Sequence, residues 1–233
     1  MNGRQISSLD DEVELEMPVM PDHYEGLASA YVRGLLPDLP EKMPVAEVIA
    51  RGRAAGLDLH RFKRTMGLPR VRAVLGLLRG LVPESLLDIG AGRGVFLWPL
   101  LDAFPDLPVT AVEPDERKFQ HIDAVRKGGI ARLSAVCADV VTLPDADSGF
   151  DIVTVLEVLE HQDNPMPLAR ATIRLARRFV IASVPSKPDN NPEHVQLFDR
   201  QSLTALLIDA GAEAVSIDYV LNHIVALARI GPR

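Results

Sequence analysis

The chain has very little cysteine, since Cys137 is the only one among its 233 residues. A single thiol excludes an internal disulfide and a thiolate metal cluster, and it is typical of a reducing compartment. No run of the sequence approaches the roughly 18 apolar residues that a membrane-spanning helix needs. The N-terminal stretch is acidic rather than basic, which argues against a secretory signal peptide. We therefore expect a cytoplasmic protein with no membrane partner.

Positive charge is also in short supply. Lysine and arginine total 25 against 32 aspartates and glutamates, which gives a formal net charge of -7 at pH 7. Proteins that coat nucleic acid usually carry a basic excess. The composition therefore disfavours a nucleic-acid partner, although it does not exclude a local basic patch. It says nothing about the oligomeric state.

The most informative segment is residues 86–96, where an apolar strand runs into a loop with glycines at alternate positions, Gly90, Gly92 and Gly94. Because glycine lacks a Cβ, such a loop can adopt positive φ and let a ligand approach the backbone. The dinucleotide fingerprint is Gly-x-Gly-x-x-Gly, whereas this loop reads Gly-x-Gly-x-Gly and follows Asp88. A carboxylate there would repel a pyrophosphate, so the loop favours a cationic cofactor.

This segment resembles the first motif of the class I S-adenosylmethionine-dependent methyltransferases. That motif reads apolar-apolar-acidic-apolar-Gly-x-Gly-x-Gly. The resemblance implies that S-adenosylmethionine is the cofactor. It also implies that the strand end and the loop bind it, through Asp88, Gly90, Ala91, Gly92 and Gly94.

Later strand ends supply further candidate cofactor residues. Glu113 ends a second apolar run about twenty residues after the loop, a separation at which nucleotide folds grip ribose hydroxyls. It is therefore the predicted ribose ligand, with Pro114 next to it. The resemblance assigns Asp139 to the adenine amino group and the amide of Val140 to a ring nitrogen, although Asp139 also suits a simple turn. The remaining candidates lie at the end of the fourth strand and are Leu156 and Glu157.

Strand-length apolar runs alternate with helical patterns from residue 85 onward, which predicts an α/β fold with a doubly wound, mostly parallel sheet of seven strands. The last two runs, 214–219 and 223–228, are too close for a parallel crossover and indicate an antiparallel hairpin. A C-terminal antiparallel strand on a Rossmann-like sheet is what the methyltransferase family has. We assign residues 83–233 to the cofactor-binding domain.

The region ahead of this domain divides in two. Residues 1–22 are acidic and contain two prolines, so we expect them to be mobile. Residues 23–82 show helical spacing and are predicted to form an N-terminal helical cap. Tyr24 and Tyr31 are either lid residues over the cofactor or core aromatics that anchor this cap.

A second motif, Glu157-x-x-Glu160-His161, lies at the end of the fourth strand, where the resemblance places the methyl group. If a helical turn begins there, these side chains share one face. Together with His194 they could bind a divalent metal ion. The motif resembles those of the small-RNA 3′-terminal 2′-O-methyltransferases and of ubiquinone-biosynthesis O-methyltransferases. The alternative is that these residues have structural roles in a pocket without metal.

Three functions remain open at this stage. The first is methyl transfer by in-line displacement to a small-molecule acceptor, with a hydroxyl favoured, and His161 and Glu157 as catalytic residues. The second is a metal-dependent RNA 2′-O-methyltransferase that uses Glu157, Glu160, His161 and His194. The third is a non-catalytic cofactor-binding module. The sequence does not identify the acceptor or decide between O-, N- and C-methylation.

Overall fold

The computed structural model describes residues 24–64, 68–144, 149–188 and 190–232. The segment predicted to be mobile, residues 1–22, lies outside these ranges. The division into a cap and a cofactor-binding domain at residue 83 stays a prediction.

A seven-stranded sheet forms the centre of the described structure, in the order β3-β2-β1-β4-β5-β7-β6. The first five strands run parallel, and β7 is antiparallel to both of its neighbours. The predicted fold class, including the C-terminal hairpin, is confirmed. The strands are β1 (Leu86–Ile89), β2 (Val109–Val112), β3 (Leu133–Val136), β4 (Phe150–Leu156), β5 (Ala176–Pro185), β6 (Ala214–Val220) and β7 (His223–Arg229).

Helices cover both faces of this sheet. They are α1 (Glu25–Leu35), α2 (Val45–Ala54), α3 (Pro69–Leu81), α4 (Leu97–Ala103), α5 (Glu116–Lys127), α6 (Met166–Leu175) and α7 (Arg200–Asp209). Successive strand residues point to opposite faces. Leu86 accordingly packs in the core that includes α1 to α5, while Leu87 packs in the core beneath α6 and α7. Burial on both faces explains the continuous apolar runs in the sequence.

The strand order changes direction between β1 and β4. The chain proceeds outward from β1 through β2 to β3, then returns to place β4 on the other side of β1. In open α/β sheets, ligands bind at the carboxyl ends of the strands that flank such a switch point. The glycine loop follows β1 and the Glu-x-x-Glu-His motif follows β4, so the topology brings both sequence motifs to one edge.

The N-terminal helices pack against the domain through close backbone contacts. A Cβ added to Gly34 of α1 would lie 1.9 Å from the carbonyl oxygen of Ala124 in α5, and one added to Gly128 would lie 1.6 Å from that of Ala30. Tyr31 is 3% exposed and packs its ring against Phe62. Tyr31 therefore anchors the cap, as the second of the two interpretations proposed.

The segment between α2 and α3 is tied to the domain by an ion pair. Arg64 donates two hydrogen bonds, of 3.0 and 3.1 Å, to the carboxylate of Asp102 in α4. Its guanidinium also lies over the ring of Tyr24, 4.2 Å from the centroid. These contacts fix the chain just ahead of α3, whose first turn reaches the site described below.

Within the described ranges, none of the helices has the length and apolar character that crossing a bilayer requires.

The glycine contact between α1 and α5 generates a stability prediction. Gly34→Ala forces backbone atoms of two helices apart, so we expect the free energy of unfolding to fall by about 1–3 kcal/mol. Gly80→Ala in α3 is the matched control, because a Cβ there has nothing within 4 Å. That control should raise stability by roughly 0.5–1 kcal/mol through helix propensity. Urea unfolding measures both, and equal effects of the two substitutions would contradict the packing described here.

Candidate active site

Two adjoining cavities open at the carboxyl edge of the sheet. The larger has a volume of about 700 Å³ and the smaller of about 170 Å³. They share Gly90, Gly92 and Glu157 in their walls. Every residue predicted from the sequence to contact the cofactor lines one of them, except Gly94. A cavity of the larger size is within the usual range for small-molecule sites.

The three glycines of the loop share a left-handed backbone but differ in their surroundings. All have positive φ, at +71° for Gly90, +56° for Gly92 and +84° for Gly94. A Cβ on Gly94 would lie 2.0 Å from the ring of Trp98, whereas the nearest atom to one on Gly92 is 3.7 Å away. Gly94 therefore makes room for a core tryptophan and lines neither cavity. Its contact with the cofactor stays a prediction.

Glu113 joins the loop to the end of β2. One carboxylate oxygen accepts a 2.7 Å hydrogen bond from the amide of Gly92, and the other accepts a 3.0 Å bond from the amide of Asp115. The residue is 4% exposed and lines the larger cavity. Each carboxylate oxygen can accept more than one hydrogen bond. The geometry thus allows Glu113 to hold the loop and to accept from a ribose hydroxyl at the same time.

Asp88 is a buried carboxyl in the wall of the smaller cavity, 2% exposed. Its Oδ1 accepts a 2.8 Å hydrogen bond from the hydroxyl of Thr154 in β4, while Oδ2 is buried with no hydrogen-bond partner. Burial raises the pKa of Asp88 to about 7, an effect that the Thr154 bond opposes and the charge of Glu113 reinforces. A buried oxygen without a donor suits a cationic ligand group.

One end of the larger cavity lies beyond β3, where the sequence predicted the adenine ligand. Asp139 and Val140 both line it, together with Pro114 and Lys118. One oxygen of Asp139 accepts a 2.9 Å hydrogen bond from the amide of Val141, which starts a short 3-10 turn. Asp139 therefore forms a turn, which was one of its two predicted roles. It also lines the cavity, as its other predicted role, the adenine ligand, requires.

Glu157 follows β4 in the left-handed backbone region, with φ of +58°. This conformation costs a residue with a side chain of order 1–3 kcal/mol and occurs preferentially at functional sites. Oε1 accepts a 2.7 Å hydrogen bond from the hydroxyl of Ser183 and lies 3.7 Å from Nε of Arg70. Oε2 lies 3.2 Å from Nε2 of His223. The carboxylate is thus held at the junction of the two cavities.

Three residues of the predicted metal set come together, and the fourth does not. Glu160, His161 and His194 place one donor atom each within 4.8 Å of one another. Glu157 is outside this group because its left-handed backbone turns it away from the 3-10 turn, which begins at Leu159. The expected common face of Glu157, Glu160 and His161 is therefore not formed.

The chain after β5 brings His194 to this group. The amides of Val195 and Gln196 both donate to the carbonyl oxygen of Glu160, at 3.0 and 3.2 Å. Nδ1 of His161 lies 2.9 Å from the carbonyl oxygen of Glu193. Since a carbonyl can only accept, Nδ1 carries the proton and Nε2 has the lone pair. Such a carboxylate and imidazole set is chemically suited to a divalent transition metal.

Two basic residues near Glu157 were not among the predicted site residues. Arg70, in the first turn of α3, lines the smaller cavity together with Asp88. His223 is the first residue of β7. Neither belongs to a local motif, and only their place in the tertiary structure brings them to the site. The composition allowed a local basic patch, but no spacing in the sequence assigned Arg70 to the site.

The sheet order, the β1 glycine loop and the C-terminal antiparallel strand define a class I methyltransferase fold. A family model described as a methyltransferase domain matches residues 59–217, well over half of the chain. The chain belongs to this family. The predicted family and S-adenosylmethionine as the cofactor are thereby confirmed.

Curated relatives match parts of the chain. The tRNA U34 carboxymethyltransferase of Serratia proteamaculans is 33% identical over 95 residues, which are 40% of this chain and 29% of that protein. A probable S-adenosylmethionine-dependent methyltransferase of Mycobacterium tuberculosis is 28% identical over 138 residues, 55% of this chain and 48% of that protein. The matches thus span less than half the length of either relative.

Solved structures share the fold at low sequence identity. The methyltransferase domain of bacterial CtHen1-C has a TM-score of 0.59 and 20% identity, covering 70% of this chain and 97% of that one. The N-terminal domain of EvdMO1, solved in the presence of SAH and D-fucose, has a TM-score of 0.59 and 17% identity. That comparison covers 82% of this chain and 98% of the EvdMO1 chain. At this level of identity the likeness concerns the fold alone.

The raised pKa of Asp88 predicts a pH-dependent stability. The folded state holds the proton up to about pH 7, while the unfolded state releases it near pH 4. The associated stabilisation is therefore complete at low pH and is lost as the pH rises toward 7. Asp88→Asn removes this loss, so the variant should exceed the parent in free energy of unfolding by roughly 2–4 kcal/mol at pH 8 and by less at pH 5.

Urea unfolding at the two pH values tests this expectation. Asp38→Asn, at an exposed loop position, serves as the control and should shift neither curve. An Asp88→Asn difference that is the same at pH 5 and pH 8 would show that the carboxyl does not titrate in this range.

Proposed function

We propose that this chain transfers a methyl group from S-adenosylmethionine to the hydroxyl of a small molecule, by in-line displacement at the junction of the two cavities. The observation that carries the proposal is the position of Glu157. Its carboxylate lies where the nucleoside cavity meets the small cavity of Asp88. A sulfonium joins a nucleoside to an amino-acid tail, so it fits this junction with its methyl group toward Glu157.

The charges of the small cavity match an amino-acid tail. Asp88 offers the buried Oδ2 to the ammonium group, and Arg70 offers a guanidinium to the carboxylate on the opposite wall. In the larger cavity Glu113 accepts from the ribose hydroxyls and Asp139 accepts from the adenine amino group. The open side of Gly92 lets the backbone approach the ligand, since no atom lies within 3.5 Å of the Cβ position.

Little covalent chemistry is required of the protein in this reaction. Bonding of the acceptor oxygen to the methyl carbon proceeds as the carbon–sulfur bond breaks and its electron pair returns to sulfur. The charge on sulfur is thereby neutralised. Alignment of the acceptor with the breaking bond and exclusion of water are the main contributions that a protein can make.

A hydroxyl acceptor is favoured because the acceptor end has groups for the departing proton. His161 lines the larger cavity and has its lone pair on Nε2. With Glu160 and His194 it could instead hold a divalent cation, which would lower the pKa of a bound hydroxyl. Both arrangements serve O-methylation, whereas a sulfide has no proton to lose and a neutral amine attacks through its own lone pair before its proton is released.

The RNA-directed alternative has less support from this chain. It shares the group formed by Glu160, His161 and His194, but a net charge of -7 opposes long-range attraction to a phosphate backbone. The non-catalytic alternative would leave the strained Glu157 and its surrounding polar groups without a role.

Activity of the purified chain tests the proposal. We expect tritium from methyl-labelled S-adenosylmethionine to appear in at least one member of a panel of phenols, catechols, hydroxy acids and sugars. Glu113→Gln should weaken cofactor binding by about tenfold or more, because a hydrogen bond to a charged group contributes about 1.5–3 kcal/mol. Glu47→Gln, on the exposed side of α2, is the control and should bind normally.

Amines and a short single-stranded RNA are added to the panel as competing acceptors. If label appeared only in amines, or only in RNA, the proposal that the acceptor is a small molecule with a hydroxyl group would be refuted. An unchanged calorimetric affinity in Glu113→Gln would refute the proposed nucleoside position.

A cation at Glu160, His161 and His194 is a separate prediction. After dialysis against Mn²⁺ or Zn²⁺ and removal of the excess, the protein should retain about one ion per chain, measured by atomic emission. His194→Gln should abolish retention by removing one donor. His60→Gln, at an exposed position in the cap, should retain the ion. Equal retention by the parent and His194→Gln would place the ion elsewhere, and no retention by the parent would leave His161 as a metal-free group.

A further inference from the structure

The antiparallel strand β7 begins at the edge of the sheet where the parallel strands end. In the register of the sheet, Leu156 pairs with Ser183, and two residues further along β5, Pro185 pairs with His223. A parallel strand would present its last residue at this edge. Because β7 runs the other way, it presents its first residue, His223, beside Glu157.

The contacts of Glu157 fix how His223 is held. Nε2 of His223 lies 3.2 Å from Oε2 of Glu157, and the other oxygen accepts from the buried hydroxyl of Ser183. A carboxylate can only accept, so the tautomer that suits this contact carries the imidazole proton on Nε2 and the lone pair on Nδ1. The His223 side chain is 25% exposed, so the ring is open to solvent.

We propose that His223, oriented by Glu157, accepts the proton of the methyl acceptor, so that the Glu157 and His223 pair forms the acceptor subsite of the proposed methyltransferase. This inference rests on the proposed function. Oxygen of the acceptor bonds to the methyl carbon, the carbon–sulfur electron pair returns to sulfur, and the hydroxyl proton moves to Nδ1 of His223. The products are a methyl ether, S-adenosylhomocysteine and a proton, which His223 later releases to water.

The geometry favours His223 over His161 for this step. Nδ1 of His161 is engaged by the carbonyl of Glu193, and its other nitrogen belongs to the donor group with Glu160 and His194. A bound cation would occupy that nitrogen. His223 lies outside the donor group and is paired with the carboxylate at the cavity junction. Among the described charged groups, Glu157 approaches this imidazole through Oε2, and Arg70 lies 3.7 Å from the other oxygen of the same carboxylate.

The first experiment does not depend on the acceptor. Nitrogen-15 NMR of the imidazoles, with S-adenosylhomocysteine bound at pH 8, should show His223 with its proton on Nε2. Glu157→Gln should disturb this tautomer because an amide can donate as well as accept. A proton on Nδ1 in the parent, or the same tautomer balance in parent and Glu157→Gln, would overturn the inference.

The second experiment uses the hydroxyl compound of the panel that is methylated. His223→Gln should lower kcat by about 100-fold or more with little change in KM, the usual contribution of a positioned base. His223→Ala should recover activity when free imidazole is added, an effect that a structural role would not produce. Cofactor affinity and ion retention should remain those of the parent, and His60→Gln should keep full activity.

The outcomes separate the two proposals. Failure of the parent to methylate any hydroxyl compound overturns the proposed function, while the NMR result still decides how Glu157 holds His223. Activity in the parent together with an unaffected kcat in His223→Gln overturns the role of His223 and leaves the proposed function intact. A loss of kcat in His161→Gln with ion retention unchanged would assign the proton to His161 instead.

Discussion

The carboxylate of Glu113 is the contact on which the rest of the site depends. It binds the amide of Gly92 on one side and that of Asp115 on the other, and so connects the loop after β1 to the turn after β2. The loop holds three glycines at positive φ and is also supported by hydrogen bonds from the indole of Trp98 to the carbonyl of Arg93 and from the amide of Gly90 to the carbonyl of Val112. The Glu113 contacts add a link between the two strand ends, which together form one wall of the larger cavity. The same side chain is therefore part of the binding surface and part of its support.

Charged side chains line the smaller cavity next to this wall. Asp88 is buried beside Glu113, and that proximity helps to keep its pKa near 7. A cationic ligand would favour the ionised form, so binding and deprotonation are coupled at this carboxyl. The positive charge of Arg70 offsets the charge of Asp88 in the smaller cavity. The carboxylate of Glu157 lies 3.7 Å from Arg70 where the two cavities meet. A zwitterionic tail next to a sulfonium fits this alternation of charge.

Much of the fold and cofactor site could be predicted because both depend on local patterns. The apolar runs mark the strands, and the short gap between the last two requires a hairpin. Asp88, Gly90, Gly92 and Glu113 follow strand ends, and strand ends of a doubly wound sheet converge on one edge. The expected common face of Glu157, Glu160 and His161 did not form, because it depended on a helical turn that begins at Glu157, whereas the turn begins at Leu159. The left-handed backbone of Glu157 is a conformation that spacing does not reveal.

The sequence by itself determined the fold class, the family and the cavity wall formed after β1 and β2, because each is encoded by residues near one another in the chain. Only the tertiary structure decided which side chains meet at the acceptor end. Arg70, Ser183 and His223 come from a cap helix, a central strand and an antiparallel strand, and they meet at Glu157 through the register of the sheet and the docking of the cap. Contacts between distant segments depend on packing geometry, which no local pattern specifies.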